Sequence, residues 1–251
     1  MPAAVFQSVS FVVSVADLHQ LPPDTGAEVA FAGRSNAGKS SAINAICGRR
    51  KLAFVSRTPG RTQLINYFRV GPAAHLVDLP GYGYARVPGA VRAGWEHLLG
   101  GYLRTRRALR GVVLIMDARH PLTPLDLQLL EWLSPSGCPV LILLTKADKL
   151  TRQAAQRQQA DTIEALAPLH PGVQTRLFSS VDGTGVEQAR AVLLQWLGFD
   201  ESKNDRPRRE RPVGGRQNGG KISGPEDSAR MPAAEKKDPR SKGRNRGPKP
   251  Q

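Results

Sequence analysis

Gly33-Arg34-Ser35-Asn36-Ala37-Gly38-Lys39-Ser40 sets two glycines, a lysine and a hydroxyl at the spacing G-x-x-x-x-G-K-[ST]. These residue types suit an anion. Gly33 and Gly38 allow backbone dihedrals that a side chain would obstruct, so consecutive N–H groups can turn inward at a helix N-terminus. Lys39 adds a point charge for β- and γ-phosphates, and the Ser40 hydroxyl can ligate Mg²⁺. The flanks fit a strand–loop–helix unit: an apolar run, Val29 to Ala32, precedes the loop, and Ser41 to Ile46 follows with apolar residues at helical spacing. A Gly/Ser-rich loop can match by chance, and the motif alone specifies a nucleoside triphosphate without saying which.

Two further constellations narrow the chemistry. Asp78-Leu79-Pro80-Gly81 ends a strand-like run about 40 residues after the loop. There Asp78 would reach Mg²⁺ through water and the Gly81 N–H would meet the γ-phosphate. By itself D-x-x-G is a weak signal; behind a phosphate loop it gains meaning. Thr145-Lys146-Ala147-Asp148 then selects the base. Asp148 can accept from the N1–H and exocyclic amino group of guanine, a donor pair adenine lacks, and the Lys146 stem can cover the base plane. The wrong base would leave a buried acceptor unpaired. The bland alternative is a surface Lys and Asp in a strand-to-helix turn. Phe178-Ser179-Ser180 closes a later strand, where open α/β sheets bind ligands, and a backbone N–H there would meet the guanine carbonyl.

The elements that must carry these groups read as alternating strands and helices. Val29 to Gly33 is the first core strand and Lys39 to Cys47 the helix behind the loop. Leu64–Val70 and Ala73–Asp78 form a hairpin around Gly71-Pro72, which would make the first of the pair an edge strand. Gly111–Asp117 and Pro139–Leu144 are almost unbroken apolar strands, as expected of parallel strands buried on both faces. Helices are expected over Gly89–Leu109, Pro124–Leu133, Thr151–Leu166 and Val186–Leu197, and a last strand over Val173–Phe178. Ser10–Val15 is an edge strand or lead-in, and the turn-rich Arg49–Thr62 suits a mobile loop. The expected architecture is three-layer α/β, with a mixed, mostly parallel six-stranded sheet flanked by helices. It divides into a lead-in, residues 1–19, a nucleotide domain, residues 20–198, and a tail, residues 199–251.

Charge is unevenly placed. The chain carries +15 at neutral pH, and residues 201–251 hold 15 Lys/Arg against 7 Asp/Glu, more than half of the excess, with no aromatic residue. Such a segment cannot bury enough apolar surface to offset its ordering entropy and reads as a disordered basic tail. Counterion release would draw it to a polyanion such as RNA, although a solvated appendage has the same composition. Arg104, Arg106, Arg107 and Arg110 suit either a helix C-terminus or an RNA-facing patch. Cys47 and Cys138 lie far apart without C-x-x-C partners, which points to reduced thiols and away from a metal site. No run approaches the ~18 apolar residues of a membrane span, so a soluble, cytoplasmic monomer is expected.

Taken in order, these motifs resemble a translation-factor-type small GTPase with the P-loop fold. Gly33 to Ser41, Thr58-Pro59-Gly60-Arg61-Thr62-Gln63-Leu64-Ile65-Asn66 and Asp78-Leu79-Pro80-Gly81-Tyr82-Gly83 are similar, more narrowly, to the EngB (YihA/YsxC) family of bacterial GTPases. The similarity covers about residues 5 to 198. It implies a GTP/GDP-binding protein for assembly of the large ribosomal subunit, acting on that particle or its precursor rRNA, and needed for normal cell division and septum formation. It also implies that Ser40 and Thr62 ligate Mg²⁺, that Gly60, Arg61, Thr62, Gln63 and Leu64 form a first switch, and that Lys39, Thr62, Gly81 and Asn36 carry catalysis.

Ras-like enzymes place a water-orienting Gln directly after the D-x-x-G glycine. Here that residue is Tyr82, which has no amide, so intrinsic hydrolysis should be slow. Related GTPases with N-x-G-K-S use the Asn to hold K⁺ in the role of an arginine finger, which makes Asn36 a candidate K⁺ ligand; its alternative role is to stabilise the loop. Two other readings stay open on the sequence: an RNA-binding assembly module whose nucleotide is chiefly structural, and an ATP kinase, which Asp148 disfavours.

Overall fold

The central strand β2 (Ala27–Gly33) is buried from Glu28 to Gly33, and its side chains alternate between two cores. Val29 and Phe31 join one, with Phe6 of α1 (Pro2–Gln7), Ile43 and Ile46 of α2 (Lys39–Ile46), and Leu193 and Leu197 of α6 (Val186–Leu197). Ala30 and Ala32 join the other, with Leu99 and Tyr102 of α3 (Gly89–Thr105), Leu129 and Leu130 of α4 (Pro124–Leu133), and Leu166 of α5 (Arg152–Leu166). The strand period of two therefore produces helix, sheet and helix layers. Each fully buried Ile, Leu or Phe in these cores contributes about 1.5–3 kcal/mol. This computed structural model describes residues 2–53, 64–83 and 89–199.

Six more strands complete the sheet: β1 (Ser10–Val15), β3 (Ile65–Gly71), β4 (Ala74–Asp78), β5 (Leu109–Asp117), β6 (Val140–Thr145) and β7 (Gln174–Leu177). Their order is β1-β3-β4-β2-β5-β6-β7. The pairs β1–β3 and β3–β4 are antiparallel, and every pair from β4 to β7 is parallel. β2 has β4 on one side and β5 on the other, so the loop after β2 leaves the sheet at a topological switch point, where open α/β sheets take their ligands.

Among the described residues the sheet thus has seven strands where six were expected, and β3 is internal, not an edge. β1 covers it. Phe11 meets the Phe68 ring edge-to-face, with centroids 6.0 Å apart, and the Ser14 hydroxyl donates to Asn66 at 2.6 Å. Residues 1–19, read as a lead-in, supply β1 and the buried Phe6 and Val9 to the same layered body. Ser10–Val15, left open as an edge strand or lead-in, is the edge strand next to β3.

α3 stops at Thr105, earlier than its apolar spacing implied. The next basic residue, Arg106, turns inward: its guanidinium meets Glu28, which also accepts from Tyr102 Oη at 2.8 Å and Tyr67 Oη at 3.3 Å. Glu28 is 1% exposed, and a carboxylate so buried is tolerable only with such partners. Arg106 is a core cation and no part of a surface patch. Among the described residues no helix is long and apolar enough to cross a membrane. The basic loop 57–61, the switch residues Gly60, Arg61, Thr62 and Gln63, and the tail from residue 200 lie outside the described residues.

Candidate nucleotide site

Backbone geometry builds the phosphate loop first. A Cβ on Gly33 would stand 2.7 Å from the Ile115 carbonyl oxygen, so β5 can lie against this point of β2 only because the residue is glycine. Gly38 caps α2 with φ of +103°, and Asn36 has φ of +65°. Such dihedrals are cheap for glycine and strained for other residues. The loop ends on the N-terminus of α2, whose first N–H groups lack helical acceptors and favour anions. Arg34 and Ser35 are half-buried, Ala37 is buried and Asn36 is exposed.

Lys39 forms an ion pair with Asp78, the last residue of β4, with side-chain exposures of only 11% and 8%. The segment that follows Asp78 runs beside the loop. Leu79 N donates to Phe31 O at 3.0 Å, Ser35 N to Tyr82 O at 2.8 Å and Tyr82 N to Gly33 O at 3.3 Å. The Ser35 hydroxyl reaches the Gly81 carbonyl at 3.5 Å. Leu79 is core and Pro80 is buried, so the motif contributes its Asp and its glycine backbone to the cleft while its middle anchors it.

On the other side of the loop, the Thr145 hydroxyl lies between two acceptors for its one proton, the Ala37 carbonyl and Met116 O, the latter at 3.0 Å. The Lys146 ammonium donates to Asn36 O and to Asp117 Oδ2, each at 2.8 Å. Ala147 N donates to Phe178 O at 3.1 Å. Asp148 Oδ1 accepts from the Ser179 hydroxyl at 2.8 Å, and its other oxygen meets Lys149 at 3.1 Å. The Ser179 hydrogen bond holds the Asp148 carboxyl below its ordinary range, so it stays an acceptor at neutral pH.

Comparison with known proteins identifies the relatives of this arrangement. Residues 28–146 match the family described as "50S ribosome-binding GTPase". The chain is 54% identical over 195 residues to the probable GTP-binding protein EngB of Aromatoleum aromaticum, covering 78% of this chain and 90% of the relative. It is 54% identical over 194 residues to the same-named protein of Azoarcus sp., covering 77% and 93%. This chain belongs to the EngB family of GTP-binding proteins. The fold agrees: a crystal structure of a probable GTP-binding protein engB superposes with a TM-score of 0.55 at 20% identity, covering 69% of this chain and all of that one. Era bound to GDP and aluminium fluoride superposes at 0.54 and 19% identity, covering 68% and 57%.

For an EngB GTPase, the structure brings together most of the residues that the sequence singled out. Lys39, Asp78, Ser35 and Gly81 share one end of the cleft, and Asn36, Ala37, Thr145 and Lys146 are directly linked. Ser40 follows Lys39 in the first turn of α2. Its hydroxyl and the Asp78 carboxylate are hard oxygen donors. That donor set fits Mg²⁺, which keeps waters and phosphate oxygens in preference to an all-protein cage.

Three placements differ from expectation. Phe178 is 1% exposed and packs in the core, so it serves the base turn through its carbonyl alone. Ser179 N donates to Thr184 O at 2.9 Å, which removes it as a donor to guanine and leaves the exposed Ser180 as the next N–H along. Ser179 acts through its hydroxyl instead. Tyr82 is buried and its hydroxyl donates to Asp126 Oδ1 at 2.7 Å, pointing into the α4 side of the core. Asp117 and Asp126 were missed altogether. Their signals were faint: an Asp at the C-terminal end of a strand, and an Asp three residues after an N-cap threonine, Thr123, with which it forms a capping box.

Proposed function

We propose that this EngB-family GTPase is a slow, Mg²⁺-dependent switch in assembly of the large ribosomal subunit, necessary for normal cell division and septum formation, and that it works as a cytoplasmic monomer. Ser40 and Thr62 would hold Mg²⁺, and Asp78 would reach it through water. Gly33 to Ser40 cradle the phosphates, Gly60 to Leu64 form the first switch and Asp78 to Gly81 the second. Thr145 to Asp148 together with Phe178 to Ser180 take the guanine. The nucleotide domain proper ends near residue 198, and the basic tail adds non-specific affinity for RNA.

The observation that carries the switch is the Lys39–Asp78 ion pair. A γ-phosphate would compete with Asp78 for Lys39, and Asp78 would turn to a Mg²⁺ held at Ser40, so nucleotide state would reach the Asp78–Gly81 segment through the two groups that hold it to the loop. Relief of such contacts on hydrolysis is a known way for GTPases to report their state. Burial of Tyr82 supports slow intrinsic turnover, because no amide occupies the water-orienting position. The exposed Asn36, in a left-handed turn, suits a K⁺ ligand that supplies positive charge to the transition state.

Sedimentation with ribosomal subunits tests the switch. Association is expected with GTP, and not with GDP or without nucleotide, and Lys39→Ala should abolish that dependence. Association indifferent to nucleotide would instead favour an RNA-binding module with a structural nucleotide. Removal of residues 201–251 is expected to lower the affinity and to make its dependence on salt shallower. GTP turnover should be faster in K⁺ than in Na⁺ at equal ionic strength, and equal rates would remove the K⁺ role.

A further inference from the structure

Asn36 and Lys146 are two of the three non-glycine residues with positive φ among the described residues, at 65° and 59°. One belongs to the phosphate loop and the other to the guanine turn. The Lys146 ammonium ties them together, donating to the Asn36 carbonyl at 2.8 Å and to Asp117 Oδ2 at 2.8 Å. Asp117 ends β5 in register with Thr145 of β6, so its carboxylate stands at the sheet end from which the guanine turn departs. Its own position is fixed by Arg119, whose backbone N–H reaches Oδ1 at 3.1 Å and whose guanidinium grips both oxygens at 2.9 and 2.7 Å.

We propose that Asp117 is a positioning residue for guanine nucleotide: by fixing the Lys146 ammonium against Asn36 O, it holds the guanine turn and the phosphate loop at one separation. The proposal rests on the GTP-site reading of these turns. Lysine is a point charge on a flexible four-carbon stem. With Asp117 it has an anionic acceptor that defines its stem; without it, only a neutral carbonyl remains, and a stem that wanders no longer covers the base. Two left-handed turns that are individually unfavourable would also lose the cation that links them. Base and phosphate contacts should loosen together, so the effect should appear in nucleotide release.

Release of a fluorescent GDP from the full chain tests this in the wild type, Asp117→Ala, Asp117→Asn, Lys146→Ala and the Asp117→Ala/Lys146→Ala double variant. Loss of a charge-assisted hydrogen bond predicts that Asp117→Ala speeds release about tenfold or more. Asp117→Asn keeps an oxygen for Lys146 and should stay within about threefold of wild type, a rescue that a loss of fold would not show. Because Asp117 acts through Lys146, the double variant should release no faster than Lys146→Ala alone. Release from Asp117→Ala within about twofold of wild type, or effects that multiply in the double variant, overturns the proposal. Should Asp117→Ala not fold, the same cycle runs with Asp117→Ser, whose shortened side chain also loses Lys146 and whose faster release must vanish in the Lys146→Ala background. A wild-type chain that binds no GDP overturns the site reading itself and the proposal with it.

Discussion

The Tyr82 hydroxyl donates to Asp126 Oδ1 at 2.7 Å, and the other Asp126 oxygen accepts from Thr123 N at 2.9 Å and the Thr123 hydroxyl at 2.7 Å. The residue directly after the Asp78–Gly81 motif is therefore tied through its hydroxyl to the N-cap of α4. Burial, reinforced by the Asp126 charge, pushes the Tyr82 phenol well above its ordinary pKa, so it stays a neutral donor. Tyr82→Phe should leave GTP turnover within about twofold of wild type, while the unpaired Asp126 oxygen costs about 1–3 kcal/mol in denaturant unfolding. A large drop in turnover at unchanged stability would show that the hydroxyl reaches the reacting phosphate.

Lys39 and Asp78 are each other's counter-ion in a site that is nearly closed to solvent. Lys39→Ala should weaken GTP binding by about 100-fold or more, the scale of two lost charge-assisted contacts to phosphate. Asp78 is then buried without its cation, so the nucleotide-free variant should also unfold at lower denaturant than wild type. Calorimetric titration and urea denaturation measure the two effects separately.

Asp148 offers guanine two acceptors, and an amide in its place offers one acceptor and one donor. Xanthine presents an N1–H and a C2 carbonyl, which match the amide. Asp148→Asn should lose GTP affinity by about 10²-fold or more and gain XTP affinity, since an unpaired buried polar group is what makes such sites selective. Competition of XTP and GTP for the variant measures the exchange directly.

Two carboxyls set an acid limb. Burial alone would raise Asp117, but donation from Arg119 and Lys146 overrides it and holds the group well below the carboxylate range; the Ser179 hydroxyl lowers Asp148. Groups depressed on folding add stability that is complete above their unfolded pKa near 3.9 and is lost as pH falls through the folded values. Stability from these two sites should be level from about pH 7 to 5 and decline below about pH 4. Ser179→Ala should move the Asp148 midpoint upward, toward the ordinary value, in a carboxyl-resolved NMR titration.

Both thiols are protected. Burial pushes Cys47 up to about 12 and Cys138 up to about 11, so neither is a thiolate at neutral pH. Alkylation of the native chain at pH 8 should be slow at both, with Cys138 the faster because it is only half-buried, and both should react promptly in denaturant.

Local order in the chain was enough for the loop between β2 and α2, the turns after β4 and β6, and the layered α/β fold. Each is a short run in which residue type dictates backbone shape: Gly38 for a left-handed cap, an apolar run such as Leu141 to Leu144 for a strand buried on both faces. Tertiary structure decided everything that depends on a partner distant in sequence. Tyr82 finds Asp126 across 44 positions, Arg106 finds Glu28 across 78, and Lys146 finds Asn36 across 110. The position of β1 against β3, the turn of Ser179 from backbone donor to hydroxyl donor, and the placing of Asp117 beside Lys146 are of the same kind. A residue's chemistry is written in its side chain, but which donor meets which acceptor follows from how the strands stack in register, and no window of neighbouring residues contains that register.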